Sequence, residues 1–186
     1  GFIKGILPVS VPTEEDADYP EVDFKLYPEP EKPGFYGVGR DQYQHLKATH
    51  LTMVGTELKH YVGVREYPDV ILPVQTREFV FTSTLRASEL SQMNLHLSRL
   101  DFIDHTLLKG LLGPADATIN LFVAVEEIPY DLKALASRDD YLLHLRNDLA
   151  PGIYAFHGQN VLNETDYRII MDLPKEMQVV FPFEIR

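Results

Sequence analysis

Seven residues, Ile119 to Val125, constrain this chain more than any other stretch: they read Ile-Asn-Leu-Phe-Val-Ala-Val, interrupted only by Asn120. Successive side chains of a strand point to opposite faces, and here both alternations are mostly apolar. A strand built from this segment must therefore be covered on both sides. The run is short for a globular helix, and its Val, Ile and Phe content favours extended structure. Gly113-Pro114 breaks the chain before it and Pro129 stops it soon after. The segment is expected to be the central strand of a single core.

The rest of the chain is read around that strand as an α+β fold: one domain, a mostly antiparallel sheet of about six strands, with two or three helices on one side. At 186 residues the chain is long enough for one sizeable core. The best helical stripe is Ser88 to Leu112, where Leu90, Met93, Leu97, Leu100, Ile103, Leu107 and Leu111 recur at spacings of three and four. Ser88 stands at the N-cap position, and Gly110 and Gly113-Pro114 supply a stop. A competing signal runs through it, since Leu95 and Leu97 alternate with His96 and Ser98 as in a strand. Further helices are expected at Asp41–Met53, Tyr130–Ala136 and Arg138–Leu149. Strands are expected at Glu57–Val64, Thr76–Leu85, Ile153–His157, Tyr167–Leu173 and Met177–Ile185. Pro182 cannot donate to a ladder, which places its strand at an edge or a bulge.

The domain division follows composition. Residues 1–34 form a proline-rich acidic arm, with Pro8, Pro12, Pro20, Pro28, Pro30 and Pro33 set among Glu14, Glu15, Asp16 and Asp18. Proline fixes φ and removes donors, so this arm is neither one long helix nor a central strand. Val22, Phe24 and Leu26 alternate with polar neighbours and read as a short edge strand. Residues 35–186 form the single α+β domain. The run Gly34-Phe-Tyr-Gly37-Val-Gly39 has the wrong order for a dinucleotide fingerprint and reads as a turn with aromatic plugs.

Charge and cysteine usage exclude several classes. The formal net charge is -11 and no run of Lys or Arg compensates it, so nucleic acid and anionic membrane surfaces are not expected partners. There is no Cys, which removes disulfides, thiolate ligands and a thiol nucleophile. No apolar run approaches the roughly 18 residues of a membrane span, so no transmembrane segment is expected in this chain. No signal peptide is visible, but the chain opens on Gly1 and not Met, so its absence carries little weight.

Candidate chemistry is sparse. Asp101 and His105 share i,i+4 spacing on the expected main helix, and Asp140 and His144 repeat it on a later one. A carboxylate and an imidazole one helical turn apart can share a metal, so these four residues are the metal-ligand candidates. The same spacing also gives an ordinary surface pair. Glu126 and Glu127 follow the central strand and are the candidate catalytic acid/base pair. The plainer account makes them the acidic start of a helix. His50, His60 and His157 are expected on apolar faces as buried, hydrogen-bonded histidines. No motif calls for a cofactor.

The leading expectation is a non-enzymatic, exported bacterial domain, such as a lipoprotein body, that binds a protein or a small ligand in the periplasm or at the cell surface. Its supports are the proline-rich arm, the absent Cys and the absent catalytic signature. A hydrolase using carboxylates or a His-bound metal is the alternative. A third reading is a cytoplasmic subunit that forms a homo-oligomer by pairing an apolar edge strand with a copy of itself.

Overall fold

A computed structural model describes residue 27 and residues 29–39, 42–55, 60–83, 93–106, 118–135 and 140–186; at 105, 106 and 118 it describes the backbone alone. Among these residues the fold is antiparallel β with a single α-helix, not α+β. The strands are β1 (Gly34–Val38), β2 (Tyr43–His45), β3 (Thr49–His50), β4 (Thr52–Gly55), β5 (His60–Gly63), β6 (Ile71–Leu72) and β7 (Glu78–Thr82). They continue with β8 (His96–Thr106), β9 (Thr118–Glu127), β10 (Tyr130–Leu135), β11 (Asp140–Leu145), β12 (Gly152–His157) and β13 (Val179–Ile185). The helix α1 spans Tyr167–Asp172.

Two sheets face each other. The first has the order β10-β11-β7-β1-β2; the second runs β3-β13-β12-β8-β9, with β6 alongside β13. Their shared interior is aromatic. Phe35, Phe79, Phe81 and Tyr141 of the first sheet meet Tyr154, Phe156 and Phe183 of the second in one buried cluster. Sheet-on-sheet packing needs alternating inward residues on both partners, which β1, β7, β12 and β13 supply. The outer face of the second sheet carries its own cluster, in which Leu100, Phe122, Ile153, Ala155 and Val180 pack with Val64, Val161 and Leu162.

The Ile119 strand lies within β9 and is covered on both faces from Leu121 to Val123, whereas Val125 is 47% exposed. Ile119, Leu121 and Val123 join Val54, Tyr61 and Ile103 on one side, while Phe122 joins the outer-face cluster on the other. Its position is not central, however. It ends the strand order of the second sheet, and the β4–β5 ribbon continues the edge through a bridge between Val64 and Phe122. Both bridge bonds are formed, Val64 N–H to Phe122 O at 3.1 Å and Phe122 N–H to Val64 O at 2.8 Å. Gly63 makes this approach possible: a Cβ there would stand 2.1 Å from Phe122 O and 2.9 Å from its carbonyl carbon. Both obstacles are backbone and cannot rotate away. Gly63→Ala is therefore expected to lose about 3 kcal/mol, the upper end of ordinary overpacking, as the ribbon is forced off β9. Urea unfolding checks it, and an unchanged midpoint would mean that the bridge contributes nothing.

The helical expectations fail for one physical reason. In a strand, residues three apart lie on opposite faces, so a strand buried on both faces shows apolar residues at that spacing without any helix. Leu97 enters the inter-sheet core and Leu100 the outer-face cluster, and both belong to β8, not to a helix over Ser88–Leu112. The alternation of Leu95 and Leu97 with His96 and Ser98 is the pattern that the structure follows. Residues 84–92 and 107–117 lie outside the described residues, as does the edge strand expected at Val22–Leu26. Likewise Leu142 faces outward with Tyr36 and Val80 while Leu143 and Leu145 face the interior, so Arg138–Leu149 contains β11. Tyr130–Ala136 contains β10, in which Tyr130 and Leu132 alternate with Asp131 and Lys133. Asp41–Met53 contains β2, β3 and the start of β4, and of the glycine run Gly34 to Val38 form β1, not a turn, while Gly39 follows it.

The opposite error occurs once among the described residues. Tyr167–Leu173 alternates like a strand yet forms α1. Asp166 caps it, its side chain accepting from Arg168 N–H at 2.9 Å, and of its residues only Ile170 is buried. The strand expectation for Met177–Ile185 meets β13, and Pro182 has a specific place in it. Glu184 N–H donates to Val70 O, away from β12, so the Pro182 nitrogen two residues earlier points the same way. On that side β3 pairs with Val179 and Val180 and β6 with Glu184 and Ile185. Pro182 fills the gap between them, where no donor is needed.

Candidate functional site

The extended fold separates residues that a helix would have joined. Asp101 and His105 lie four apart on β8, and Asp140 and His144 four apart on β11. Four residues of strand span roughly 13 Å, against one turn of helix. Asp101 is exposed and accepts from Arg99 at 3.3 Å. Asp140 is buried at 1% exposure, whereas His144 sits beside Glu78 at 3.6 Å on the outer face of the first sheet. Among the described residues no group of three or more His, Asp or Glu side chains could hold a metal ion.

Glu126 and Glu127 do not start a helix. They end β9, and the chain then crosses between the sheets through Ile128 and Pro129 into β10. As neighbours on a strand they serve different partners. Glu126 accepts from Arg99 Nε at 3.2 Å, and Glu127 lies 2.6 Å from His96 Nδ1. They do not converge on one reacting atom as an acid/base pair requires.

Glu126 lines a cleft of about 390 Å³ at one end of the sandwich, with Arg99, Asn147, Asp148, Pro151 and Tyr154. Its charges are matched internally: Arg99 with Glu126 and Asp101, and Asp148 with Arg77 at 2.6 Å. The Tyr154 hydroxyl donates to Ala150 O at 2.8 Å. The cleft is large enough for a small ligand, yet its charged groups already satisfy one another.

Across the same sheet lies a polar cluster that the sequence did not single out. His157 of β12 pairs directly with His96 of β8, and their rings stack 5.7 Å apart. His157 Nε2 lies 2.9 Å from Ser98 Oγ, the reach of a nucleophile and its base. Both residues have 0% exposure, so no substrate reaches the hydroxyl. His157 Nδ1 has no hydrogen-bond partner among the described residues, so no carboxylate orients the ring. Burial, helped by the nearby His96 charge, pulls the His157 pKa down to about 3. His157 was legible as a core-facing strand histidine; its partners were not, because cross-strand neighbours are set by register.

A third feature is apolar and exposed. Phe102 and Tyr67 are 52% and 56% exposed, and both rings lean on Phe122, at centroid distances of 5.1 and 5.7 Å. The Tyr67 hydroxyl donates to Glu184 Oε1 at 3.1 Å, and Arg186 reaches the same carboxylate. Exposed Ile71 pairs with Glu184 across the β6–β13 ladder. An exposed aromatic group beside the Glu184–Arg186 ion pair thus lies on the outer face of the second sheet.

The fold and these features define an antiparallel β-sandwich with a curled second sheet. No family model matches the chain, and no curated protein or solved structure matches it either. None of the helices in the described residues is long and apolar enough to cross a membrane.

Proposed function

We propose that this protein is a non-enzymatic binding domain of an exported bacterial protein, and that it holds a protein partner at the Tyr67–Phe102–Phe122 aromatic group. The observation that carries the reading is the exposed aromatic group. Large rings left in water lose free energy, and a group of them inside a polar rim is the anatomy of an interaction surface. Both exposed rings are inclined to Phe122, at 53° and 79°. Exposed aromatic rings beside polar groups suit an apolar side chain from a peptide or protein. The exported setting rests on the proline-rich acidic arm and the absence of Cys.

Peptides selected from a random displayed library against the purified protein supply the test. The reading expects apolar side chains to be enriched among them. Phe102→Asp is expected to weaken their binding by ~tenfold or more, about 1.4 kcal/mol, while the protein stays folded, its ring being half in water. Selected peptides whose affinity is indifferent to Phe102→Asp and Tyr67→Ala would sink it.

A further inference from the structure

The outer edge of β10 is the feature that the binding reading leaves unused, and its backbone directions can be worked out. Leu145 N–H donates to Arg77 O at 2.7 Å, on the β7 side of β11. In β11, then, the N–H groups of Tyr141, Leu143 and Leu145 face β7, and those of Asp140, Leu142 and His144 face β10. The β10 partners of the latter three are Leu135, Lys133 and Asp131. Tyr130, Leu132 and Ala134 therefore aim their backbone groups at the open edge. Among the described residues no strand pairs with that edge. The other edge strand, β2, has only three residues, whereas β10 has six.

We propose that β10 pairs antiparallel with β10 of a second copy, with Leu132 on the two-fold axis. Only registers that join outward-facing residues can form a ladder, so the axis passes through a residue and not between two. An axis at Asp131 sets Asp131 against itself, and an axis at Lys133 sets Lys133 against itself; like charges directly opposite repel. An axis at Tyr130 or Ala134 shortens the overlap. The axis at Leu132 pairs Tyr130 with Ala134 and sets Asp131 of each copy opposite Lys133 of the other, twice. Those two fall at a non-hydrogen-bonded position, where opposed Cα atoms come closest, about 4.5 Å apart. Asp131 keeps its bond to Arg146 at 2.9 Å within its own chain. The partnership joins the first sheets of two copies into one continuous sheet.

Sedimentation over a concentration series tests this with two variants. Wild type is expected to reach the mass of two chains as concentration rises. Lys133→Asp makes the strand doubly acidic and Asp131→Lys makes it doubly basic, and each alone is expected to remain at the mass of one chain. An equal mixture of the two restores both opposite-charge pairs and is expected to form a mixed dimer, which also shows that each variant is folded. Wild type that stays monomeric at its solubility limit would overturn the proposal. So would a dimer that survives in either variant alone, or a mixture that stays monomeric.

Discussion

Phe156→Ala is expected to remove about 3–5 kcal/mol of folding stability, a large part of the roughly 5–15 kcal/mol that a domain possesses. The reason is position. Phe156 has 0% exposure, and its ring centroid lies 4.9 Å from Phe35, 5.0 Å from Phe79, 5.8 Å from Phe183 and 6.4 Å from Tyr130. Phe35 and Phe79 belong to one sheet and Phe183 to the other, so deleting this ring empties the middle of the sandwich. Surrounding strands are held by ladders on both sides and cannot collapse into the gap, which adds a cavity cost to the lost transfer energy. Phe102→Ala provides the contrast, because its ring is half in water; a loss below about 1 kcal/mol is expected there. Urea unfolding of both variants decides it, and equal losses would mean that the interior is not assembled around Phe156.

Acid is expected to weaken the fold through His157. Its folded pKa is about 3, below the ordinary value of 6.5 that the unfolded chain recovers. Between those limits the unfolded chain binds a proton that the folded chain refuses, so stability falls as pH drops through that window and is unaffected by this group above it. A shift of this size corresponds to roughly 3–5 kcal/mol by the bottom of the window. The groups around the ring give no relief: Ser98 engages Nε2, and Glu127 is engaged with His96. His157→Gln keeps a neutral partner for Ser98 and removes the titration. Plotted against pH, its unfolding free energy should run flatter than wild type by up to one proton's slope between about pH 6 and 4. Parallel curves for the two proteins would assign the acid sensitivity elsewhere.

Much of the chain's local character was legible, and the errors share a cause. Strands flanked by polar residues or prolines, such as Thr76–Leu85, Ile153–His157 and Met177–Ile185, overlap the observed β7, β12 and β13. β8 and β11 each carry buried leucines on both faces, so these leucines recur three apart as they would along a helix. In a helix that spacing marks one face; in these strands it marks both. In α1, Ile169 and Met171 imitate a strand's alternation although both are exposed, and the cue to the helix lies in the cap at Asp166. The candidate sites suffered most. Pairing Asp101 with His105 and Asp140 with His144 depended on helical turns that do not form. The contacts that did form, His157 with Ser98 and Phe102 with Phe122, join residues 59 and 20 positions apart.

By itself the sequence determined which segments must be sealed from water. The two apolar alternations of Ile119–Val125 required cover on both faces, because each alternation points its own way whatever lies above it. The acidic net charge and the lack of Cys likewise belong to the chain before it folds. Only the tertiary structure decided what provides the cover: among the described residues, Val54 and Tyr61 of the β4–β5 ribbon on one face, and Val64, Val161 and Leu162 on the other. Burial is a property that each residue carries, whereas strand register and sheet order emerge from ladders between distant segments, and no spacing along the chain encodes the distance across them.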